Sequence, residues 1–505
     1  MEDKTLTAQV YELREKLREW RKIKMEKDNI ITEDKPEEAK EEMAKKLSAW
    51  STYTAEDKNS LEKLSAGYID FISRCKTERE SVVEAVKQAE AAGYKNLDDV
   101  IKSGTKLKVG DKVYSVFMKK TVALFQIGRK PIENGLKILG AHIDTCRLDL
   151  KQNPLYEESG LAYLDTHYYG GIKKYQWVTL PLAMHGVVVK KSGSVIDVVV
   201  GEAEDDPVFC VTDLLIHMSQ EQLKKTADKV IEGENLDILF GNYPIVDGNN
   251  KESVKKAVFR LLRDKYNIAD SDFLSAELSF VPAGKARELG IDRSMVLGYG
   301  QDDRVCAYTS LVAMLEAGDK NLSKTACCLL VDKEEIGSVG ATGMRSRFFE
   351  NTLAELMNAC GQYSELSLRR ALKNSFMLSS DVSSAYDPLY APAYDKNNAA
   401  YLGKGMVFNK FTGSRGKSGS SDANAEYVGK LRAILDKHNV RYQFAELGKV
   451  DMGGGGTIAY MMAKYGMEVI DSGVAVLSMH APWEATSKVD IYETKKGYAA
   501  FLAEI

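Results

Sequence analysis

The run Ala326-Cys327-Cys328-Leu329-Leu330-Val331 leads directly into Asp332-Lys333-Glu334-Glu335-Ile336-Gly337-Ser338. An apolar run of that length, bounded by polar and turn residues, reads as a fully buried strand. Ligands of open α/β sheets gather outside the carboxyl ends of the strands, so the polar segment predicts a site at this strand end. Two adjacent glutamates repel each other. A cation beside them accounts for the pair: one glutamate can bind the metal while the other takes a proton from an activated water. A plain acidic turn is the alternative.

Four further polar clusters follow apolar runs. Gly140-Ala141-His142-Ile143-Asp144 places His142 and Asp144 two residues apart, on one side of a strand. A carboxylate there can receive the second ring N–H of a metal-bound histidine; a satisfied core histidine is the plain reading. Gly300-Gln301-Asp302-Asp303-Arg304 leads into a helix, where acids also serve as caps. Met377-Leu378-Ser379-Ser380-Asp381 and Val476-Leu477-Ser478-Met479-His480-Ala481-Pro482 complete the set. Each is unremarkable alone. Together they give two histidines and several carboxylates, a donor set suited to zinc, cobalt or manganese. A shared aspartate can hold two ions, as in aminopeptidases and some phosphatases. The residues alone therefore point to a dinuclear metallohydrolase.

Working outward, strands are expected at Lys112–Phe117, Thr121–Gly128, Leu136–Ile143, Ser375–Leu378, Arg441–Phe444 and Gly473–Leu477, and helices at 55–95, 304–317, 349–359, 422–438 and 457–464. Strands alternating with helices predict an α/β fold with a mostly parallel sheet covered on both faces. Residues 151–275 differ in texture. Trp177–Leu182, Gly186–Val189 and Val195–Val200 suggest hairpins. Residues 1–47 are highly charged, and Val10, Leu13, Leu17 and Trp20 give them one apolar helical face. The glycine run 453–456 has no following Lys-Ser or Lys-Thr and so does not read as a nucleotide loop; a tight turn or close backbone approach is expected. Gly413–Ser421 reads as a polar loop at the surface, a substrate pocket or a subunit contact.

The composition excludes several classes. In 505 residues, 69 Lys and Arg face 73 Asp and Glu, a net charge of −4. A dedicated nucleic-acid binder usually carries a basic excess. No apolar run approaches the ~18 residues of a membrane span, and the first residues lack the apolar core of a secretory signal. Seven scattered cysteines without Cys-x-x-Cys spacing suit reduced thiols in a cytoplasm. With only six histidines, a metal site must lean on carboxylates.

The five clusters, in this order, resemble the aspartyl aminopeptidase family of dinuclear metallo-aminopeptidases. The resemblance runs from about residue 67 to the C-terminus and includes Ala66-Gly67-Tyr68-Ile69-Asp70-Phe71, Tyr169-Gly170-Gly171, Ser271-Asp272-Phe273-Leu274-Ser275, Asp451-Met452-Gly453 and Ser478–Glu484. It implies that His142, Asp302 and Asp381 bind one metal and that Asp302, Glu335 and His480 bind the other. Glu334 takes the place of the general base and Asp144 that of the orienting acid. His167, Tyr169, Gly170 and Gly171 become candidates for the substrate pocket. The implied fold is a zinc-peptidase type catalytic domain at 48–149 and 286–505, interrupted at 150–285 by a β-rich dimerisation domain, with 1–47 as a helical arm. Two divalent ions per subunit are implied, zinc foremost, with cobalt or manganese as alternatives. The implied partners are peptides with a free N-terminus and further copies of the chain, as dimers and a tetrahedral dodecamer, with no nucleic acid and no membrane.

Two departures mark a bacterial branch. The stretch after Tyr-Gly-Gly reads Ile172-Lys173-Lys174-Tyr175-Gln176-Trp177, without the family's usual pocket histidine, for which His167 is the substitute. The bridging-acid motif is Gln-Asp-Asp-Arg rather than Leu-Asp-Asn. The preferred N-terminal residue stays open. Another dinuclear amidohydrolase, a carboxypeptidase or deacylase, and an inactive oligomeric homologue are the competing readings.

Overall fold

A computed structural model of the chain describes residues 48–246, 252–317 and 321–504. The apolar face Val10–Trp20 expected in the charged segment lies outside these residues. Of the described residues, 48–54 belong to one unit, with a short 3-10 turn at Ala49–Ser51, and those from Ala55 onward to the other.

The second unit is built on a nine-stranded sheet. Its order is Lys95–Asn96, Lys112–Phe117, Thr121–Gln126, Ala326–Val331, Lys137–His142, Phe376–Ser380, Glu468–Gly473, Met406–Asn409 and Tyr442–Phe444. The four strands from Ala326–Val331 to Glu468–Gly473 run parallel to one another. Thr121–Gln126 and Met406–Asn409 flank them antiparallel. The opening run explains why this sheet is covered on both faces. Cys328 and Leu330 enter one core, while Cys327, Leu329 and Val331 enter the other, because alternate side chains of a strand point to opposite sides. Helices Ala55–Arg74, Gln301–Ala317, Ala425–Lys437 and Lys488–Glu504 cover the first core. Helices Phe348–Ala359, Glu365–Lys373 and Ala459–Ala463 cover the second.

A seven-stranded sheet comes wholly from residues 147–282. Its order is Val195–Val200, Leu182–Val189, Ala276–Pro282, Arg147–Glu158, Leu161–Tyr169, Ile238–Gly241 and Cys210–Val211, each neighbouring pair antiparallel. The expected hairpin of Gly186–Val189 with Val195–Val200 is present. The expected strand Trp177–Leu182 is not, since the strand starts at Leu182. Trp177 instead follows a 3-10 turn and is fully buried.

The helix expected over 55–95 is two helices, Ala55–Arg74 and Glu78–Ala91. Thr77 starts the second with a capping box, its side chain accepting from Glu80 N while the Glu80 carboxylate accepts from Thr77 N. The sequence carried that signal as Thr77-Glu78-Arg79-Glu80. The glycine run is a close backbone approach: a Cβ on Gly454 would lie 2.0 Å from the Gly413 carbonyl oxygen.

The break between these helices meets the seven-stranded sheet through buried charge. Lys76 Nζ donates to Glu202 and to the Pro282 and Gly284 carbonyls at 2.6 and 2.9 Å. His185 Nδ1 lies 2.8 Å from Glu80 Oε1, and its Nε2 lies 3.2 Å from Glu202 Oε1. Burial disfavours the imidazolium, but the hydrogen bonds to Glu202 and Glu80 outweigh it and raise the His185 pKa. A raised native pKa contributes stability that is complete below the unfolded value of about 6.5. It is lost as pH rises through the native value. His185→Gln is therefore expected to cost more stability at pH 6 than at pH 9, measured by urea denaturation. An equal loss at both would mean that the imidazolium contributes nothing.

Candidate metal centre

Five chain segments converge at the carboxyl ends of the central strands. Lys137–His142 ends on His142 itself. Ala326–Val331 continues through Asp332 and a left-handed Lys333 (φ 71°) into the turn Glu334–Ile336. Phe376–Ser380 is followed by Asp381. The other two segments come from a small five-stranded sheet, ordered Arg287–Leu289, Met295–Gly298, Glu484–Ser487, Ala475–Leu477 and Ser383–Ser384. Asp302 follows Met295–Gly298 at the head of helix Gln301–Ala317, where its backbone is still extended (φ −78°, ψ 107°). His480 sits in the turn between Ala475–Leu477 and Glu484–Ser487. The residues expected as ligands are thus brought together, three from the large sheet and two from the small one.

Asp302 lies between the two histidines. His142 Nε2 is 3.1 Å from Asp302 Oδ1, and His480 Nε2 is 3.2 Å from Asp302 Oδ2. On both rings Nδ1 faces acceptors: the Asp144 carbonyl and carboxylate at 3.1 and 3.3 Å for His142, and the Gly171 carbonyl at 2.9 Å for His480. An Nδ1–H donating there would leave each Nε2 available to a cation placed between it and Asp302. His142, Asp302 and Asp381 can each place one ligand atom within 4.8 Å of the others. Glu335 Oε2 stands 3.7 Å from His480 Nε2, and Glu334 Oε2 stands 4.0 Å from His142 Nε2.

Three groups fix this arrangement. Asp144 is fully buried; besides facing His142, it accepts from Glu334 N at 3.0 Å and Glu335 N at 3.2 Å. The Tyr169 hydroxyl donates to Asp144 Oδ2 at 2.8 Å. In the Tyr-Gly-Gly segment, Tyr169 therefore holds the acid that faces His142, and the Gly171 carbonyl meets His480 itself. The third group is Glu484, the last residue of the Ser478–Glu484 motif. Its Oε2 accepts from Gln301 N at 2.6 Å and Asp302 N at 3.2 Å, and its Oε1 accepts from His480 N at 2.8 Å. One buried carboxylate thus ties the Asp302 and His480 backbones together. Glu484→Gln would turn one acceptor into a donor facing N–H groups. It is expected to cost about 2 kcal/mol or more and to weaken metal retention, read by denaturation and elemental analysis. Unchanged stability would remove this role.

His167 is exposed on Leu161–Tyr169, and its Nδ1 meets the Tyr168 carbonyl at 2.9 Å.

The electrostatics fit a cation. Burial pushes the Glu334 carboxyl up to about 7 and the Glu335 carboxyl up to about 8, with neighbouring carboxylates adding to each. Burial and Asp303 push Asp381 up as well. At Asp302 burial acts the same way, but the two histidines outweigh it and hold the carboxyl well below the usual range. Glu335 Oε1 is buried without a hydrogen-bond partner. Crowded buried acids with an unpartnered oxygen are costly unless cations compensate them. The mixed imidazole and carboxylate donors suit zinc.

Histidines and carboxylates converging at the carboxyl end of an α/β sheet define a metal-dependent hydrolase. The chain belongs to the M18 family of zinc metallo-aminopeptidases: residues 71–502 match the family described as Aminopeptidase I zinc metalloprotease (M18). It is 62% identical over 454 residues to the Clostridium acetobutylicum protein named "Probable M18 family aminopeptidase 1", covering 90% of this chain and 97% of that one. The crystal structure of aminopeptidase I from the same organism superposes with a TM-score of 0.85 at 60% identity, over 91% of this chain and 99% of that chain. An M18-family aminopeptidase structure from Thermotoga maritima gives a TM-score of 0.86 at 40% identity, with the same coverage of 91% and 99%. The yeast mApe1 dodecamer structure shares the fold, with a TM-score of 0.70 at 20% identity over 88% of this chain and 97% of that chain. This chain is accordingly a metallo-aminopeptidase, and its relatives at high identity are bacterial. Among the described residues no helix is long and apolar enough to cross a membrane.

Proposed function

We propose that this aminopeptidase works with two divalent ions that share Asp302, and that Glu334 is its general base. The position of Asp302 carries this reading, since each of its oxygens faces the Nε2 of a different histidine. His142, Asp302 and Asp381 would hold one ion, and Asp302, Glu335 and His480 the other. Bound there, such ions supply Lewis acidity: they acidify a water, polarise the scissile carbonyl and anchor a free α-amine. Glu334, at the edge of the cluster, takes the proton of the attacking water on its carboxylate. It then delivers that proton to the leaving amine. Asp144 keeps His142 oriented and holds Glu334 through its backbone N–H.

The catalytic part is then the mostly parallel α/β portion, near 48–149 and 286–505. The antiparallel sheet of 147–282, all but its first three residues within 150–285, is an insertion for dimerisation and assembly. Two features support this: that sheet is drawn from one continuous stretch, and the chain shares its fold with a yeast protein solved as a dodecamer.

His480→Ala is expected to lower metal content by about one ion per chain, measured by elemental analysis. The proposed activity is tested with free-amine aminoacyl-arylamides, with and without chelator, and after adding zinc, cobalt or manganese. Hydrolysis should vanish with chelator, return with metal, and fail on N-acetylated analogues. Preferential cleavage of N-acyl amino acids would point to a deacylase instead.

A further inference from the structure

The antiparallel sheet reaches the metal centre through a stacked pair. Arg147 opens the strand Arg147–Glu158 and lies opposite Tyr169, the last residue of Leu161–Tyr169. Its guanidinium carbon stands 4.1 Å from the centroid of the Tyr169 ring. Arg147 is buried, and two of its nitrogens are held. Nη1 donates to Glu78 Oε2 at 3.1 Å, at the head of helix Glu78–Ala91, and Nε donates to Asp149 Oδ1 at 2.7 Å. The Ser279 hydroxyl donates to the same Asp149 oxygen at 2.6 Å. The guanidinium is therefore fixed in its own plane while its face meets the ring.

Tyr169 passes that position on. Its hydroxyl donates to Asp144 Oδ2 at 2.8 Å, the oxygen that also accepts from Glu335 N. Asp144 Oδ1 accepts from Glu334 N and faces His142 Nδ1 at 3.3 Å. The phenol is thus a tether that keeps the Asp144 carboxylate from turning about its last bond. We propose that Arg147 is a positioning residue for the aminopeptidase reaction: packed on the Tyr169 ring, it keeps the hydroxyl on Asp144 and, through Asp144, keeps the His142 ring and the Glu334 backbone in place. This inference rests on the reading of His142 as a metal ligand and Glu334 as the general base. It makes the antiparallel sheet, which supplies both Arg147 and Tyr169, a support of the metal centre. Charge alone does not suffice, because a lysine offers no flat face to the ring.

The test uses the full chain, zinc-loaded, with Arg147→Lys, Tyr169→Phe and the double variant. Turnover and KM are measured on an aminoacyl-arylamide, and zinc affinity by competition with a chelator. Each single substitution is expected to lower kcat and the affinity for one zinc ion about tenfold or more, with KM little changed. The double variant should be no worse than the poorer single, because both break one link. Lysine keeps a charge beside Glu78, which also has Lys120 Nζ at 3.9 Å, so Arg147→Lys is expected to fold. Wild-type kcat and zinc affinity in either single variant would overturn the proposal, and so would losses that multiply in the double variant. Glu334→Gln, measured alongside, separates the underlying reading: wild-type turnover there would overturn the general base, whereas the coupling of Arg147 to Tyr169 is decided by zinc affinity.

Discussion

Asp302→Ala is expected to empty both metal positions at once. Every other proposed ligand belongs to one position, so its loss should remove about one ion. Asp302 alone faces both histidine Nε2 atoms, at 3.1 and 3.2 Å. Without it, His142 and His480 lose the carboxylate between them. Asp381, Glu334 and Glu335 then remain as crowded buried acids with no shared cation. The Lewis acidity at stake amounts to several kcal/mol of transition-state stabilisation, so aminopeptidase turnover should fall about 10³-fold or more. Elemental analysis after dialysis should find close to no bound zinc. A variant that keeps one full equivalent would show that the positions do not share this residue.

Glu334→Gln should behave in the opposite way. The amide keeps the size of the side chain and leaves His142, Asp302, Glu335, Asp381 and His480 untouched, so metal content should stay near wild type. It cannot take a proton at neutral pH. General-base catalysis contributes about 10²–10⁴-fold, and turnover should fall within that range while KM changes little. Turnover near wild type with both metals retained would remove Glu334 from the role. Adjacent Glu335→Gln is the informative partner, because it should lose metal as well as rate.

The site was legible in the sequence where a polar residue ends an apolar run. His142 ends, and Glu334, Glu335 and Asp381 come after, strands buried along all or nearly all of their length, and such runs announce themselves. Less legible was whatever puts polar residues inside the core. Glu468–Gly473 is a central strand of the large sheet, yet it carries Asp471, buried with Oδ1 accepting from Thr457 at 2.6 Å. Helix Lys488–Glu504 escaped for the same reason. Its buried face includes Lys488, which pairs with Glu62 and Glu288, and Asp490, which accepts from Gly403 N and Gly405 N. Paired charges at core positions erase the apolar period of 3.6 on which a helix reading depends. Of the small sheet that carries Asp302 and His480, only Ala475–Leu477 falls within an expected strand, Gly473–Leu477; its strands have two to four residues, too few to display alternation. Glu484 has no signature in the sequence. Its role comes from Gly298 and Glu484 being partners across antiparallel strands, a long-range register.

Anomalous diffraction from crystals of the zinc-loaded protein, collected at the zinc edge, tests the shared carboxylate most directly. Two peaks are expected on opposite sides of Asp302, one beside His142 and Asp381 and the other beside Glu335 and His480. A single peak at full zinc occupancy, or two peaks without Asp302 between them, would contradict a dinuclear centre bridged by that residue.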